Sequence, residues 1–278
     1  MKTPKIIPRK PAPSVGFLGA GKMGGAILQA MLRARITKPS SIKVCDASAE
    51  RCEQLVAEYG VKSVPAEAVV TDSDVVFLAV KPQDLSALLE PLPREVLQKP
   101  LFISIAAGRR IEWLEARLPG ARMVRSMPNL GVSAGLGMTA YCGGTRARKV
   151  DLRLAGKLLG STGKAIELPE EQLDAVTALS GSGPAFMAYV LQAMVEGGTD
   201  LGLEEEVAVE LAVQTMLGTA AVLAEGTIDI GAFIRSVTSA KGTTAAGLAV
   251  LEQSSVAETM KRTLAEATQR SRELSRLP

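Results

Sequence analysis

The segment "SVGFLGAGKMGGA", residues 14–26, places five glycines in thirteen positions directly after an apolar run. Within it, Gly19, Gly21 and Gly24 have the spacing GxGxxG. Because glycine lacks a Cβ, the first permits a tight turn, the second lets a pyrophosphate approach the backbone, and the third lets helix and strand pack closely. The pattern is informative only where a strand precedes it and a helix follows.

The sequence around the glycines supplies that context. From Ser14 to about Glu167, short β-branched or apolar runs alternate with helical patterns, which predicts a mostly parallel sheet covered by helices. Strands are predicted near Val15 to Leu18, Ile42 to Cys45, Val75 to Val80, Leu101 to Ile105, Arg122 to Arg125, Gly137 to Tyr141 and Ala165 to Leu168. We therefore predict a doubly wound α/β Rossmann domain over residues 14–168 that binds NAD or NADP.

After Pro169 the strand signals stop, and residues 169–278 are predicted to be all helical. Segments 185–198 and 204–226 are apolar nearly all round, but charged and amide residues interrupt both, which argues against membrane spans. About 110 residues cannot bury two such helices alone. We therefore expect this region to be a dimerisation domain whose core is completed by a second copy.

Charge and composition exclude several classes of function. The chain carries 32 basic and 29 acidic residues, and four of the basic ones lie in the proline-rich residues 1–13, so the remainder is nearly neutral. This argues against nucleic-acid binding, and the basic start is expected to be a disordered tail rather than a secretory signal, which favours a cytoplasmic protein. Three cysteines without CxxC spacing indicate neither a disulfide framework nor a metal site. Histidine, the commonest general acid or base, is absent.

Asp46 stands at the end of the second predicted strand, 22 residues after Gly24. An acid at this place can bond the adenosine ribose of a dinucleotide. It could equally cap the next helix, as could Ser48. An acid there favours NAD, whereas Ser48 and Arg51 could contact the additional phosphate of NADP, so the choice of nucleotide stays open.

Three further stretches carry polar residues at strand or helix ends. Lys81 and Pro82 follow the strand in "DVVFLAVKPQDL", and Lys81 is either a surface charge or a group of the site. Asn129, in "VRSMPNLG", is either a turn residue or a member of the same edge. Ser180 and Ser182, in "LSGSGPAFMAYVLQAM", either cap a helix or face the nicotinamide.

From Ser14 to the C-terminus the chain resembles the pyrroline-5-carboxylate reductase family. The stretches that carry the resemblance are, in order, "GFLGAGKMG", "DVVFLAVKP", "RSMPN", "DAVTALSGSGPAF" and "VTSAKGTTAAGLAVLE". The resemblance implies a Rossmann domain followed by a helical domain that interlocks with its twin in a dimer, often assembled into a decamer. It also implies reduction of the cyclic imine 1-pyrroline-5-carboxylate to L-proline, the last step of proline biosynthesis, by hydride from NADPH or NADH. A protonated iminium accepts hydride directly, which suits a chain without histidine.

The resemblance also implies roles for individual residues. Cofactor binding is expected at Gly19, Ala20, Gly21, Lys22, Met23, Gly24, Asp46, Ala79, Val80, Lys81, Pro82, Ala106 and Asn129. The substrate carboxylate is expected at the loop "TSAKGTT", namely at Ser239, Lys241, Gly242, Thr243 and Thr244. Catalytic roles are expected for Thr244, placed against the ring nitrogen, and for Lys81 and Ser182. No metal is expected. Without the resemblance, Thr243 and Thr244 would read as helix caps.

The sequence departs from the family pattern at four places: Ala240 and Lys241 replace Pro-Gly, Leu130 and Gly131 replace Thr-Pro, Asp229 and Ile230 replace His-Pro, and Ala66 replaces an asparagine. Lys241 stands where a glycine is expected to have positive φ, and its charge could bind a second acidic group. A reductase of another cyclic imine, or a cofactor-binding paralogue without activity, therefore remains an alternative. A hydroxyacid dehydrogenase is disfavoured, because residues 170–223 contain no lysine to act as base.

Overall fold

The computed structural model describes residues 12–276, so nearly all of the predicted tail, residues 1–13, lies outside the described part of the chain. Two compact units are present. The first runs to Gly181 and resumes at Ala267, and the second is Ser182–Glu266.

The first unit contains one sheet of eight strands within the described residues, in the order β3-β2-β1-β4-β5-β6-β7-β8. All neighbours are parallel except β6 and β7. The strands are β1 (Val15–Leu18), β2 (Ile42–Cys45), β3 (Lys62–Ser63), β4 (Val75–Leu78), β5 (Leu101–Ser104), β6 (Arg122–Met127), β7 (Gly137–Gly143) and β8 (Gly163–Glu167).

The helices that connect and follow these strands agree with the predicted alternation. Those of the first unit are α1 (Lys22–Arg33), α2 (Ala49–Tyr59), α3 (Ala66–Thr71), α4 (Leu85–Leu89), α5 (Ile111–Arg117), α6 (Lys149–Gly160) and α7 (Leu173–Val176), followed by a π-helical turn, Thr177–Gly181. The later helices are α8 (Gly183–Asp200), α9 (Glu205–Ala224), α10 (Ile230–Ser236), α11 (Thr243–Gln253) and α12 (Val256–Ser275), and the end of α12 belongs to the first unit.

The central strands are buried on both faces because helices cover the sheet from both sides. On β1, Val15 and Phe17 face one apolar core while Leu18 faces the other, as the period of two requires. Phe17 stacks on Phe77 of β4, with ring centroids 4.9 Å apart. β1 to β3 are added toward one edge of the sheet and β4 onward toward the other, so the strand order reverses between β1 and β4. Ligands of doubly wound sheets bind at the carboxyl ends of the strands beside that switch point.

The helices of the second unit leave much apolar surface exposed. The buried apolar residues of the second unit are Ala208 and Ala212, both on α9, whereas Leu211 and Leu217 of the same helix are half exposed. By length and composition α9 is also apolar enough to cross a membrane. A helix that is apolar all round needs cover from protein or lipid, so the predicted incompleteness of this region in a single chain is confirmed.

Some sequence-based boundaries need correction. The strands predicted to reach Val80 and Ile105 end at Leu78 and Ser104, where their pairing with the neighbouring strands ends. The short edge strand β3 was not predicted. The compact units divide after Gly181, and Leu173 packs into the core of the first unit. The division at 168 and 169 into a cofactor domain and a helical domain stays a prediction about function.

Candidate active site

The glycine turn between β1 and α1 is held against β4. Gly19 has φ +94°, a conformation that residues with a Cβ rarely adopt, and a Cβ on it would lie 2.6 Å from the backbone of Ala79 and Val80. A Cβ on Gly24 would lie 2.7 Å from the Gly19 carbonyl oxygen. Two of the three glycines of the motif are therefore required by packing.

Gly21 differs from the other two, because a Cβ on it would meet nothing within 4 Å. It is the N-cap residue of α1, and no side chain caps that helix. The first backbone N–H groups of a helix, here at Lys22 and Met23, lack acceptors within the helix and attract anions. Open space over uncapped amides is what the pyrophosphate of a dinucleotide requires, so these residues fit such a cofactor.

The other predicted cofactor residues follow the carboxyl ends of neighbouring parallel strands. Ala79 and Val80 come directly after β4, and Ala106 is buried two residues after β5. Lys81 lies three residues beyond the buried end of β4, is exposed, and directly precedes a short 3₁₀ helix that begins at Pro82. The sheet thus brings these residues to the same edge as the glycine turn.

The structure decides between the two helix caps considered for α2. Ser48 is the N-cap, and its hydroxyl accepts the Arg51 N–H at 3.1 Å. Asp46 instead accepts the Ala20 N–H at 2.6 Å and the Ser48 N–H at 2.9 Å. The carboxylate therefore lies at the glycine turn, beside a cavity of about 380 Å³ beyond the ends of β2 and β3.

Asn129 connects three segments of the first unit. Its side-chain oxygen accepts the backbone N–H groups of Gly131 and Met138, each at 3.1 Å, and its amide nitrogen donates to the hydroxyl of Ser180 at 3.1 Å. Ser180 lies in the π-helical turn before α8, a kind of turn that is frequent at functional sites. Ser180 therefore anchors this turn to the end of β6, and Ser182, the N-cap of α8, makes no side-chain capping bond.

In the second unit, the predicted substrate loop lies directly before α11. Lys241 is exposed with φ 61°, which confirms the predicted positive φ. A Cβ on Gly242 would lie 2.2 Å from the Ser239 hydroxyl oxygen, so this glycine is required by a close approach. Gly242 is the N-cap of α11 and no side chain caps the helix, so neither Thr243 nor Thr244 acts as its N-cap, and the amides at the start of α11 are uncapped.

Two residues have a role at the glycine turn that the sequence did not predict: Gly25, and Arg51, which was considered only as a phosphate contact. The Arg51 Nε–H donates to the Ala20 carbonyl at 2.9 Å, and a Cβ on Gly25 would lie 2.5 Å from the Arg51 guanidinium. The second glycine of the pair Gly24-Gly25 was the available signal in the sequence.

Burial, aided by nearby Cys52 and Asp46, raises the pKa of the Cys45 thiol, which makes it a poor nucleophile.

The expectation that no metal is bound comes from the amino-acid composition, and the structure does not test it. Within residues 12–276, no group of three or more cysteine, aspartate or glutamate residues is placed to hold a metal ion. The cysteines of this part of the chain are free thiols.

The chain is similar to known proteins over nearly its whole length. The family model for pyrroline-5-carboxylate reductase dimerisation matches residues 170–274, and the model for NADP oxidoreductase, coenzyme F420-dependent, matches residues 14–108. Pyrroline-5-carboxylate reductases from Methanosarcina acetivorans and Arabidopsis thaliana are 38% and 35% identical. The first alignment covers 94% of this chain and 98% of that protein, and the second 94% and 95%.

Solved structures give the same result. A pyrroline-5-carboxylate reductase from Coxiella burnetii is 31% identical, with a TM-score of 0.91 over 96% of this chain and 100% of that one. The enzyme from Plasmodium falciparum, solved with NADP bound, is 26% identical, with a TM-score of 0.84 over 95% of this chain and 98% of that one. From the sequence relatives and these folds together, the chain belongs to the pyrroline-5-carboxylate reductase family.

Proposed function

We propose that this protein reduces 1-pyrroline-5-carboxylate to L-proline, with NADH or NADPH as hydride donor. The observation that carries the proposal is the open space over Gly21 and the uncapped N-terminus of α1, in a chain whose relatives over almost its full length are pyrroline-5-carboxylate reductases. An intact pyrophosphate cradle is expected both of an active reductase and of the alternative, a cofactor-binding paralogue without activity, so turnover of an imine is what distinguishes them.

The cofactor site is assigned to residues around the glycine turn. The amides of Lys22 and Met23 bind the pyrophosphate, assisted by the positive end of α1. Ala20, Ala79, Val80, Pro82 and Ala106 form the walls at the strand ends, and Asp46 faces the adenosine half. Asn129 acts mainly through its bonds to Gly131, Met138 and Ser180, so its contribution to cofactor binding is to hold this edge in place.

The substrate carboxylate is assigned to the loop before α11. Backbone amides at Thr243 and Thr244 lie at an uncapped helix start, which suits an anion. Ser239 and Gly242 set the shape of the loop through their close approach, and Lys241 adds a positive charge beside it. This cation would strengthen carboxylate binding and would also accommodate a substrate with a second acidic group.

Chemistry at this site needs little proton transfer from the protein. When bound, the reduced nicotinamide supplies the hydride that adds to the carbon of the C=N bond, and the protonated imine accepts the electron pair on nitrogen. The Thr244 hydroxyl oxygen accepts a hydrogen bond from the protonated ring nitrogen, and Ser182 and Lys81 orient the reacting groups. Catalysis then comes mostly from holding the two reactants in line.

Assembly and location follow from the exposed helices. The apolar faces of α8 and α9 are covered by a second copy of the chain through residues 169–278, giving a homodimer that can associate further to a decamer. Burial in that dimer, rather than a membrane, accounts for the apolar character of α9. The nearly neutral charge offers no surface for nucleic acid, and the protein is assigned to the cytoplasm.

The test is steady-state oxidation of NADH and NADPH, followed at the nicotinamide absorbance, with pyrroline-5-carboxylate and with its six-membered homologue. Turnover that is faster with the five-membered ring supports the proposal. Thr244→Val, which keeps the side-chain shape but removes the hydroxyl, should lower kcat while leaving cofactor binding unchanged, and Thr259→Val on α12 is the matched control. Binding of cofactor without turnover of either ring would contradict the proposal and favour another imine or an inactive paralogue.

A further inference from the structure

Ala20, in the middle of the glycine turn, is held on both sides by residues that follow β2. Its N–H donates to Asp46 Oδ2 at 2.6 Å, and its carbonyl accepts from Arg51 Nε at 2.9 Å. Ala20 itself is fully buried. The two bonds fix the orientation of both peptide groups that flank it, directly before Gly21, where the pyrophosphate is expected.

Gly25 makes room for this arrangement. It lies in the first turn of α1, where alanine would favour the helix by about 1 kcal/mol. A Cβ at this position would stand 2.5 Å from an Arg51 nitrogen. The guanidinium therefore lies directly against the helix backbone, in space that a side chain at residue 25 would occupy, while its Nε donates to the Ala20 carbonyl.

Arg51 is consequently committed to the glycine turn. Its Nε is used on Ala20, and its Nη1 lies 3.4 Å from the side-chain oxygen of Gln54. The cavity beyond β2 and β3 does not include it: among the described residues that line this cavity, the charged ones are Asp46 and Glu53. The surroundings of the adenosine ribose are therefore acidic.

Asp46 still has capacity for a ligand. A carboxylate has about four acceptor positions, and the Ala20 and Ser48 amides use one on each oxygen. The remaining positions can accept hydroxyl protons from a ribose. The 2'-phosphate of NADPH is mostly dianionic at neutral pH, so it offers Asp46 no hydroxyl proton. Its charge has the same sign as those of Asp46 and Glu53, so it would be repelled.

We propose that Arg51 is a positioning residue, held in place by Gly25, and that the Asp46 and Arg51 bonds to Ala20 make this protein select NADH over NADPH. This rests on the proposed use of a nicotinamide cofactor, but it does not depend on which imine is reduced. Arg51, the first cation after Asp46 in the sequence, supports the pyrophosphate turn instead of binding a 2'-phosphate.

The experiment is direct titration of the full-length protein with NADH and with NADPH, in the absence of any imine, by calorimetry or nicotinamide fluorescence. The expected result is a Kd for NADH lower than that for NADPH by about tenfold or more, the size of one unfavourable charge contact. Asp46→Asn should reduce this ratio, because it removes the repelling charge. An equal or lower Kd for NADPH in the unsubstituted protein would overturn the proposal.

Two variants test the positioning role separately. Gly25→Ala displaces the guanidinium without removing its charge, and the helix tolerates it because the atom it meets is the end of a flexible side chain. Arg51→Gln removes both the guanidinium and its charge. Each should raise the Kd for both nucleotides by similar factors while thermal unfolding of the free protein changes little, and Gln54→Ala should change neither Kd. Unchanged cofactor binding in Gly25→Ala and Arg51→Gln would show that Arg51 does not position the turn. Binding data also separate this proposal from the reductase activity, since loss of turnover would leave both Kd values measurable.

Discussion

Gly21→Ala and Gly24→Ala should separate cofactor binding from packing within one motif. At Gly24, a new Cβ would meet the Gly19 carbonyl oxygen at 2.7 Å and the Ala79 Cβ at 3.0 Å. Overpacking of this kind costs about 1–3 kcal/mol, and alanine regains about 1 kcal/mol of helix propensity. We therefore expect Gly24→Ala to lower the free energy of unfolding by about 0–2 kcal/mol.

At Gly21 the new Cβ meets nothing within 4 Å, so no packing is lost. Alanine is a poorer N-cap than glycine, but it reduces the entropy of the unfolded chain by about 0.4–1 kcal/mol, and the two effects nearly cancel. The Cβ occupies the space over the first amides of α1. If it costs the pyrophosphate one charge-assisted hydrogen bond, worth about 1.5–3 kcal/mol, the Kd of the cofactor rises by about 10- to 100-fold.

The assay combines thermal unfolding of the free proteins with titration by NADH and NADPH. A difference of 1 kcal/mol in stability corresponds to about 2–4 °C in Tm for a chain somewhat smaller than this one. Gly21→Ala should keep the Tm and lose cofactor affinity, whereas Gly24→Ala should lower the Tm first. Normal cofactor affinity in Gly21→Ala would refute the assignment of the open space to the pyrophosphate.

Three other predictions concern charge, backbone strain and assembly. Lys241→Gly should relieve a left-handed conformation that costs about 1 kcal/mol and change the KM for substrate; Lys241→Ala keeps the strain and removes the charge, so an unchanged KM in both would show that this side chain does not reach the substrate. Burial raises the pKa of Asp151, but hydrogen bonds from Arg148 and the charge of Arg122 more than offset this and leave the pKa below its ordinary value. Its stabilising contribution is therefore present above about pH 4 and lost as pH falls through the lowered pKa, so acid should shift the denaturant midpoint less in Asp151→Asn, and an equal shift would contradict this. Leu211→Glu, on the exposed face of α9, should convert the dimer to monomers in light scattering after gel filtration, and an unchanged mass would place the interface elsewhere.

Local patterns in the sequence predicted the features that depend on one segment. The spacing of Gly19, Gly21 and Gly24 predicted the turn between β1 and α1, because backbone geometry there depends on missing side chains. The positive φ at residue 241 was expected from the family resemblance, in which a glycine stands at this position, and Lys241 has φ 61°.

Features that depend on distant segments could not be predicted in this way. Whether Asp46 or Ser48 caps α2 is ambiguous locally, since both side chains can do so. The choice is made by Ala20, whose amide engages the carboxylate from 26 residues away. Asn129 and Ser180 are 51 positions apart, so only the folded chain shows that they are bonded.

The end of α12 has a consequence for the order in which the chain can fold. Ser271 is buried and its hydroxyl donates to the buried carboxylate of Asp174 at 2.7 Å, and a Cβ on Gly108 would lie 3.4 Å from Leu274. The first unit is therefore completed by residues that are synthesised after the whole of the second. On the ribosome, the sheet can form early, but Asp174 gains this partner only when translation is nearly finished, and a chain cut after residue 266 would leave that carboxylate without its hydroxyl donor.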